Sequence, residues 1–360
     1  MSTHKVTLIP GDGIGPEVAA AARKCVDATG VKIDWEIKNA GSVTLKEKGE
    51  ILPQEVLDSI RKNKVALKGP IITPVAGGYR SVNVQLRQKL DLFVCLRPAK
   101  AYPGIRSINP DIDILIFREN TEDLYAGIEF EKGSKEVKGL INLTKKTTGR
   151  DIKSDSAISL KPISESASKR LFTFAFEYAI AHKRKKITAV HKANIMKYSD
   201  GLFLECGRQI ASKYKGKIDF EETIVDNLSM QLVLRPTNFD CLALPNLYGD
   251  IISDLCAGLV GGLGVAPGAN IGDELALFEP VHGAAPKYTG KNKVNPAATI
   301  LSAVMMLDYL NEKQASQRLK NALIKVVKEG KSVTYDLKPD RNDPTAVGTS
   351  EMAEAIIKEL

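Results

Sequence analysis

The chain of 360 residues has little that would tie it to a membrane, an oxidising compartment or a nucleic acid. It contains no run of about 20 apolar residues, the length a helix needs to cross a bilayer, so no membrane partner is expected. Five cysteines stand at 25, 95, 206, 241 and 256, odd in number and without a CxxC pair. That number and spacing read as reduced, mostly buried thiols of a reducing compartment, and argue against structural zinc. Aromatic residues make up 6% of the chain and do not interleave with its basic segments, which weighs against nucleic-acid binding. The opening "MSTHKVTLIP" has neither a basic-then-apolar signal nor an Arg-rich leader. A cytoplasmic protein is expected, although a processed organellar form would read the same.

What is present is ordinary for a globular protein: 43% hydrophobic and 26% charged residues, and a length that allows two domains. The net charge is +8, and its densest run is "HKRKK" at 182–186, between an apolar helical stretch and a strand. Cations there complement a helix C-terminus, and this solvated-end reading is preferred to a nucleic-acid patch. A positive field attracting small anionic substrates stays open.

Strand and helix patterns alternate along most of the chain, which predicts an α/β fold. "KVTLIPG" reads as a strand, "GPEVAAAARKCVDATG" as a helix with Pro near its start, and "LPQEVLDSIRKN" as a further helix. "SVNVQLRQKLDLFVCLRPAK" predicts a helix and then a strand stopping before Pro98, and "DIDILIFREN" a strand delivering charges at its end. Residues 123–164 are polar and rich in Lys, Thr, Ser and Gly, and read as an antiparallel hairpin insert. A long helix with a Ser–Glu start signal follows.

Several stretches carry chemistry. "GDGIG" at 11–15 follows a strand and precedes a helix, but Pro16 stands where GxGxxG needs glycine, so a plain turn competes with a dinucleotide site. In "NLYGDIISDLCAG", Asp250 and Asp254 are one helical turn apart in apolar surroundings. They read either as a carboxylate pair for Mg²⁺ or Mn²⁺ or as charges favoured by the helix dipole. Arg80, Arg87, Arg97 and Arg118, with Ser81 and Asn83, suit a small polyanionic acid, because guanidinium forks pair with carboxylates. Lys192 follows a buried strand and reads either as an acid–base group or as the start of a loop.

With "IPGDGIGPEV", "RENTEDLYAGIE", "VHKANIMK", "NLYGDIISD" and "GGLGVAPGANIG" assembled, the chain resembles the β-decarboxylating dehydrogenases that act on isocitrate, isopropylmalate or homoisocitrate, over nearly its whole length. The likeness is strongest to the homodimeric bacterial type that oxidises isocitrate in the tricarboxylic acid cycle. The resemblance implies the fold of that family, not a Rossmann fold. Residues 1–92 and 261–360 would form a large domain, 93–122 and 165–260 a small one, and 123–164 a clasp between two subunits. It implies that Arg87, Arg97 and Arg118 grip the substrate carboxylates and that Ser81 and Asn83 read the γ-carboxylate. Lys68 and Asn194 would support substrate and cofactor. Asp250 and Asp254, with Asp226 from a second copy, would hold Mg²⁺ or Mn²⁺. Tyr125 and a second copy's Lys192 would be the acid–base pair.

The resemblance also places "VHGAAPKYTG", 281–290, against the adenosine half of the cofactor. Contacts would come from His282, Gly283, Ala284, Ala285, Val294 and Asn295. Where NAD-using relatives carry an acidic and then an apolar residue, this chain has Lys287 and Tyr288, which with Tyr335 suit the 2′-phosphate of NADP. Pro339 departs from the arginine usual in NADP enzymes, with Lys338 or Arg341 as substitutes, and keeps NAD open. Ser81 and Asn83 would be left unpaired by an isopropyl group, which favours isocitrate and leaves homoisocitrate as an overlap. A regulatory subunit of a hetero-oligomer is the competing class. Against it, Tyr125, Lys192, Asp226, Asp250 and Asp254 are all present.

Overall fold

The computed structural model describes residues 3–73 and 79–360. Its strands are β1 (His4–Ile9), β2 (Ile33–Ile37), β3 (Val65–Lys68), β4 (Val94–Lys100), β5 (Asp113–Glu119), β6 (Glu129–Phe130), β7 (Ile158–Ser159), β8 (Lys186–His191), β9 (Asp219–Ile224), β10 (Cys241–Leu244), β11 (Pro267–Ile271) and β12 (Ala276–Pro280). All but β6 and β7 form one ten-stranded sheet in the order β2-β1-β3-β12-β11-β4-β5-β10-β8-β9. The two ends of this sheet are parallel, and the centre, β12-β11-β4-β5, is antiparallel. Residues expected in the large domain supply β2, β1, β3, β12 and β11, and those expected in the small one supply the other five. The two groups meet along β11 and β4, where Ala269–Ile271 pair with Val94–Leu96.

Side-chain alternation across this seam sets up the site. Leu96, Ala269 and Phe278 enter the main hydrophobic core. Their neighbours Arg97, Gly268 and Glu279 therefore face the other side of the sheet. The helix Asn246–Leu259 starts directly after β10 and packs over β5 on that side.

Two expectations are corrected. β4 does not stop before Pro98 but runs to Lys100, paired with β5 throughout. The β11 ladder ends at Leu96, so that edge asks nothing of a residue without an N–H. The insert is not a hairpin in the main. β6 and β7 pair over only Glu129–Phe130 and Ile158–Ser159, and most of the segment between them is a 14-residue helix, Lys135–Thr148. Ser134 caps its start by accepting from the Val137 N–H, and Gly149 closes it in the left-handed conformation.

"GDGIG" is a turn. Gly11 and Gly13 have positive φ, and a Cβ on Gly13 would lie 2.1 Å from the Ala284 carbonyl oxygen. The Ile14 N–H donates to that oxygen at 2.9 Å. The "HKRKK" run is spent on structure: Arg184 pairs with Asp113 and Asp240, and Lys186 with Glu221.

Candidate active site

The helix Asn246–Leu259 aligns Asn246, Asp250, Ser253 and Asp254 on one face through its 3.6-residue period. Arg118, fully buried near the end of β5, donates from Nε and Nη2 to Asn246 Oδ1 at 2.9 and 2.7 Å and from Nη1 to Asp250. Arg97 donates to Ser253 Oγ at 2.6 Å and stands 3.5 Å from both Asp250 and Asp254. Tyr125 donates to Asp250 Oδ2 at 2.5 Å, and the Arg118 guanidinium lies 4.7 Å from its ring centre. Gly249 makes this packing possible, because a Cβ there would come 2.5 Å from Arg118 Cγ.

The electrostatics separate the two aspartates. Burial pushes the Asp250 carboxyl up, but Arg118 and Arg97 override it and hold it below its usual value. Burial raises Asp254, with Arg97 only partly opposing. Burial and then the bond to Asp250 raise the Tyr125 phenol, so it keeps its proton at neutral pH. Desolvation, Arg87 and Arg97 push Arg118 down to about 10, still charged.

A second cluster underlies the first. Glu279 is fully desolvated; burial would raise it, yet Lys68 at 2.7 Å and Arg87 at 3.3 Å hold it at about 2. Asn270 donates to it at 2.7 Å. Lys68 is 1% exposed and also donates to the Gly69 carbonyl. It is therefore a brace beneath the site. Sequence reasoning missed Glu279, Asn246 and Ser253. The signal for Glu279 was one acid inside the apolar "ALFEP", which burial alone would not tolerate unpaired.

Asn83, Arg87, Arg97 and His282 line a cavity of 380 Å³ together with Thr73 and Pro280. Asn83 Oδ1, Arg87 Nε and His282 Nε2 are buried there with no hydrogen-bond partner among the described residues. Buried polar atoms are ordinarily satisfied, so these three mark a place for a polar ligand. Ser81 stands at the start of the helix Val82–Lys89 and meets Thr73 Oγ1 at 3.3 Å. An adjoining cavity of 250 Å³ is lined by Ile14, Gly264, Asp336 and six of the residues expected at the cofactor: His282, Gly283, Ala285, Val294, Asn295 and Tyr335. Ala284 is buried behind it. Lys287 lies over the Tyr288 ring at 4.9 Å, and the Tyr288 and Tyr335 rings are 6.3 Å apart. Lys338, one of the two substitutes expected for the arginine, is tied to the Gly330 and Lys331 carbonyls and Thr345.

Lys192, Asn194 and Asp226 form no hydrogen bond with these clusters. Lys192 pairs with Asp226 at 2.5 Å, and Asn194 is exposed. Among the described residues, no three His, Cys, Asp or Glu side chains gather as metal ligands. Within one chain, Asp250 and Asp254 are the two expected ligands that share a helix face.

Comparison with known proteins adds four findings. The isocitrate/isopropylmalate dehydrogenase family model matches residues 5–356. An NADP isocitrate dehydrogenase of Archaeoglobus fulgidus is 46% identical, covering 97% of this chain and 91% of that one. A probable mitochondrial NAD isocitrate dehydrogenase alpha subunit of Drosophila melanogaster is 45% identical, covering 93% and 83%. The crystal structure of isocitrate dehydrogenase from Methylococcus capsulatus superposes with a TM-score of 0.90 at 46% identity, covering 99% of both chains.

Proposed function

The chain belongs to the isocitrate/isopropylmalate dehydrogenase family, and from that premise we propose that it oxidatively decarboxylates isocitrate to 2-oxoglutarate and CO₂ while reducing NADP in preference to NAD. The observation that carries this reading is the 380 Å³ cavity with its three unpartnered polar atoms. A tricarboxylate supplies acceptors for Arg87 Nε. His282 donates from Nδ1 to the Gly283 carbonyl at 3.1 Å and burial lowers its pKa, so Nε2 is left as an acceptor for a ligand hydroxyl. The Asn83 amide, turned over, presents Nδ2 to a carboxylate oxygen where Oδ1 now lies.

Arg87, Arg97 and Arg118 bind and orient the carboxylates, and Ser81 and Asn83 read the γ-carboxylate. Three acidic oxygen donors, Asp250, Asp254 and a second copy's Asp226, suit a hard divalent cation, Mg²⁺ or Mn²⁺. Bound there, such a cation supplies Lewis-acid polarisation of the 2-hydroxyl oxygen, and the dinucleotide supplies the hydride acceptor. Lys192 of the second copy takes the hydroxyl proton. Tyr125, kept protonated by its surroundings, delivers a proton to C3 after CO₂ departs. Asn194 supports this site from the second copy's loop. Lys287, Tyr288 and Tyr335 favour NADP, since one ammonium and two phenol donors suit a phosphate and none replaces the carboxylate that accepts from a ribose 2′-hydroxyl.

The apolar surface around Lys192 and Asp226 supports a shared site. Ile195, Tyr198, Met230, Val233 and Leu234, near Lys192 and Asp226 along the chain, are exposed, Tyr198 at 94%, as is Ile251 beside Asp250. Such a patch is what a subunit interface covers. The large domain, small domain and clasp then divide the chain at the β11–β4 seam.

Purified protein with isocitrate, Mg²⁺ and each dinucleotide, followed by absorbance of the reduced cofactor, tests the reading. Faster turnover with NADP is expected. No reduction of either dinucleotide overturns the activity, and a higher kcat/KM with NAD overturns only the cofactor preference.

A further inference from the structure

The cations around Tyr335 are unevenly employed. Pro339 brings no charge, Lys338 is committed to the Gly330 and Lys331 carbonyls, and Arg341, whose charge reaches Tyr335, lines a neighbouring crevice of 780 Å³. Lys293 places its ammonium 4.8 Å from the centre of the Tyr335 ring and forms no ion pair among the described residues. It directly precedes Val294 and Asn295, which line the 250 Å³ cavity beside Tyr335.

The backbone that carries Lys293 is fixed from several sides. Glu17 accepts from the Gly290 and Asn292 N–H groups at 2.5 and 3.0 Å. Asn292 is held at φ 48°, a conformation costly for a residue with a side chain. Its side-chain oxygen accepts from the Ser350 N–H at 2.9 Å, and its carbonyl from the Thr349 N–H at 3.1 Å. The Glu17 carboxylate is occupied by these backbone donors and does not pair with Lys293. Two lysines thus flank two tyrosines, Lys287 over Tyr288 and Lys293 over Tyr335. The Tyr335 hydroxyl, then the Lys287 and Lys293 charges, hold the Tyr288 phenol below its usual value.

We propose that Lys293 is a specificity-determining residue, the second cation of a four-residue subsite with Lys287, Tyr288 and Tyr335 that binds the 2′-phosphate of the dinucleotide. The proposal rests on the NADP reading given above. A phosphate between the two rings draws both ammonium groups off the aromatic faces, exchanging cation–π contacts for stronger charge-assisted bonds.

Calorimetric titration with adenosine 2′,5′-bisphosphate and with 5′-AMP tests it without turnover. For the native protein, the bisphosphate should bind more tightly, by a margin that shrinks with added salt. Lys293→Met should weaken the bisphosphate about tenfold and leave 5′-AMP unchanged, and Lys293→Arg should restore most of the loss. If Lys293→Met weakens both ligands equally, or neither, the proposal is overturned. Equal affinity of the native protein for the two ligands overturns the NADP reading itself.

Discussion

Arg118 is the largest side chain the fold buries completely, and it stays charged because Asn246 and Asp250 occupy its fork. Glu279 has the same problem with the opposite sign. Its folded value of about 2 lies below the ordinary 4.5, so the unfolded chain takes up the proton first. The stabilisation is complete above about pH 4.5 and is lost as pH falls toward 2, a span on the order of 3 kcal/mol. Glu279→Gln leaves Lys68 and Arg87 buried without their anion, a cost of roughly 3–5 kcal/mol at neutral pH. Melting curves should therefore show the gap between native and variant narrowing as pH drops through this window; a constant gap contradicts the linkage. Ser81 is tested differently. Ser81→Glu sets a carboxylate where the γ-carboxylate is proposed to bind, and kcat/KM for isocitrate should fall by at least about a hundredfold. Near-normal turnover would falsify the carboxylate-reading role.

At the level of elements, the long periodic helices and the apolar strands were legible, because each is dictated by local spacing. The insert at 135–148 was misread because its Lys and Thr content obscured the cap at Ser134 and the stop at Gly149. Asp250 and Asp254 could be paired from their spacing alone. Their partners Arg97 and Arg118 reach them only through the β4–β5 register, in which Arg97 faces Ile116 and Arg118 faces Cys95. Gly249 is the joint between helix and sheet. Gly249→Ala should force Arg118 off Asn246, lowering kcat/KM about tenfold or more while helix content by circular dichroism stays the same. Unchanged kinetics would show that Arg118 has room to move.

On the scale of the whole molecule, the separation of Lys192 and Asp226 from Asp250 has one direct consequence under the shared-site reading. Tyr125→Phe and Lys192→Met homodimers should each lose most activity. Subunits mixed after mild dissociation should recover about a quarter of native activity, because half of the dimers are then mixed and one of the two sites in each is intact. An active native monomer in sedimentation, or no recovery on mixing, contradicts a site built from two copies. The ten-stranded sheet also joins both halves of the chain through the short β11–β4 ladder, and no sequence pattern announced that contact.

The sequence by itself determined the α/β class, the identity of the acidic, basic and phenolic groups, and the motifs that carry the family likeness. These follow from residue type and local period. Only the tertiary structure decided that Lys68 is a buried brace, that Glu279 anchors Arg87, that Lys338 is committed elsewhere and that Lys293 stands over Tyr335. Each depends on which residues remote in sequence share a sheet face or a cavity wall, and local spacing carries no record of that.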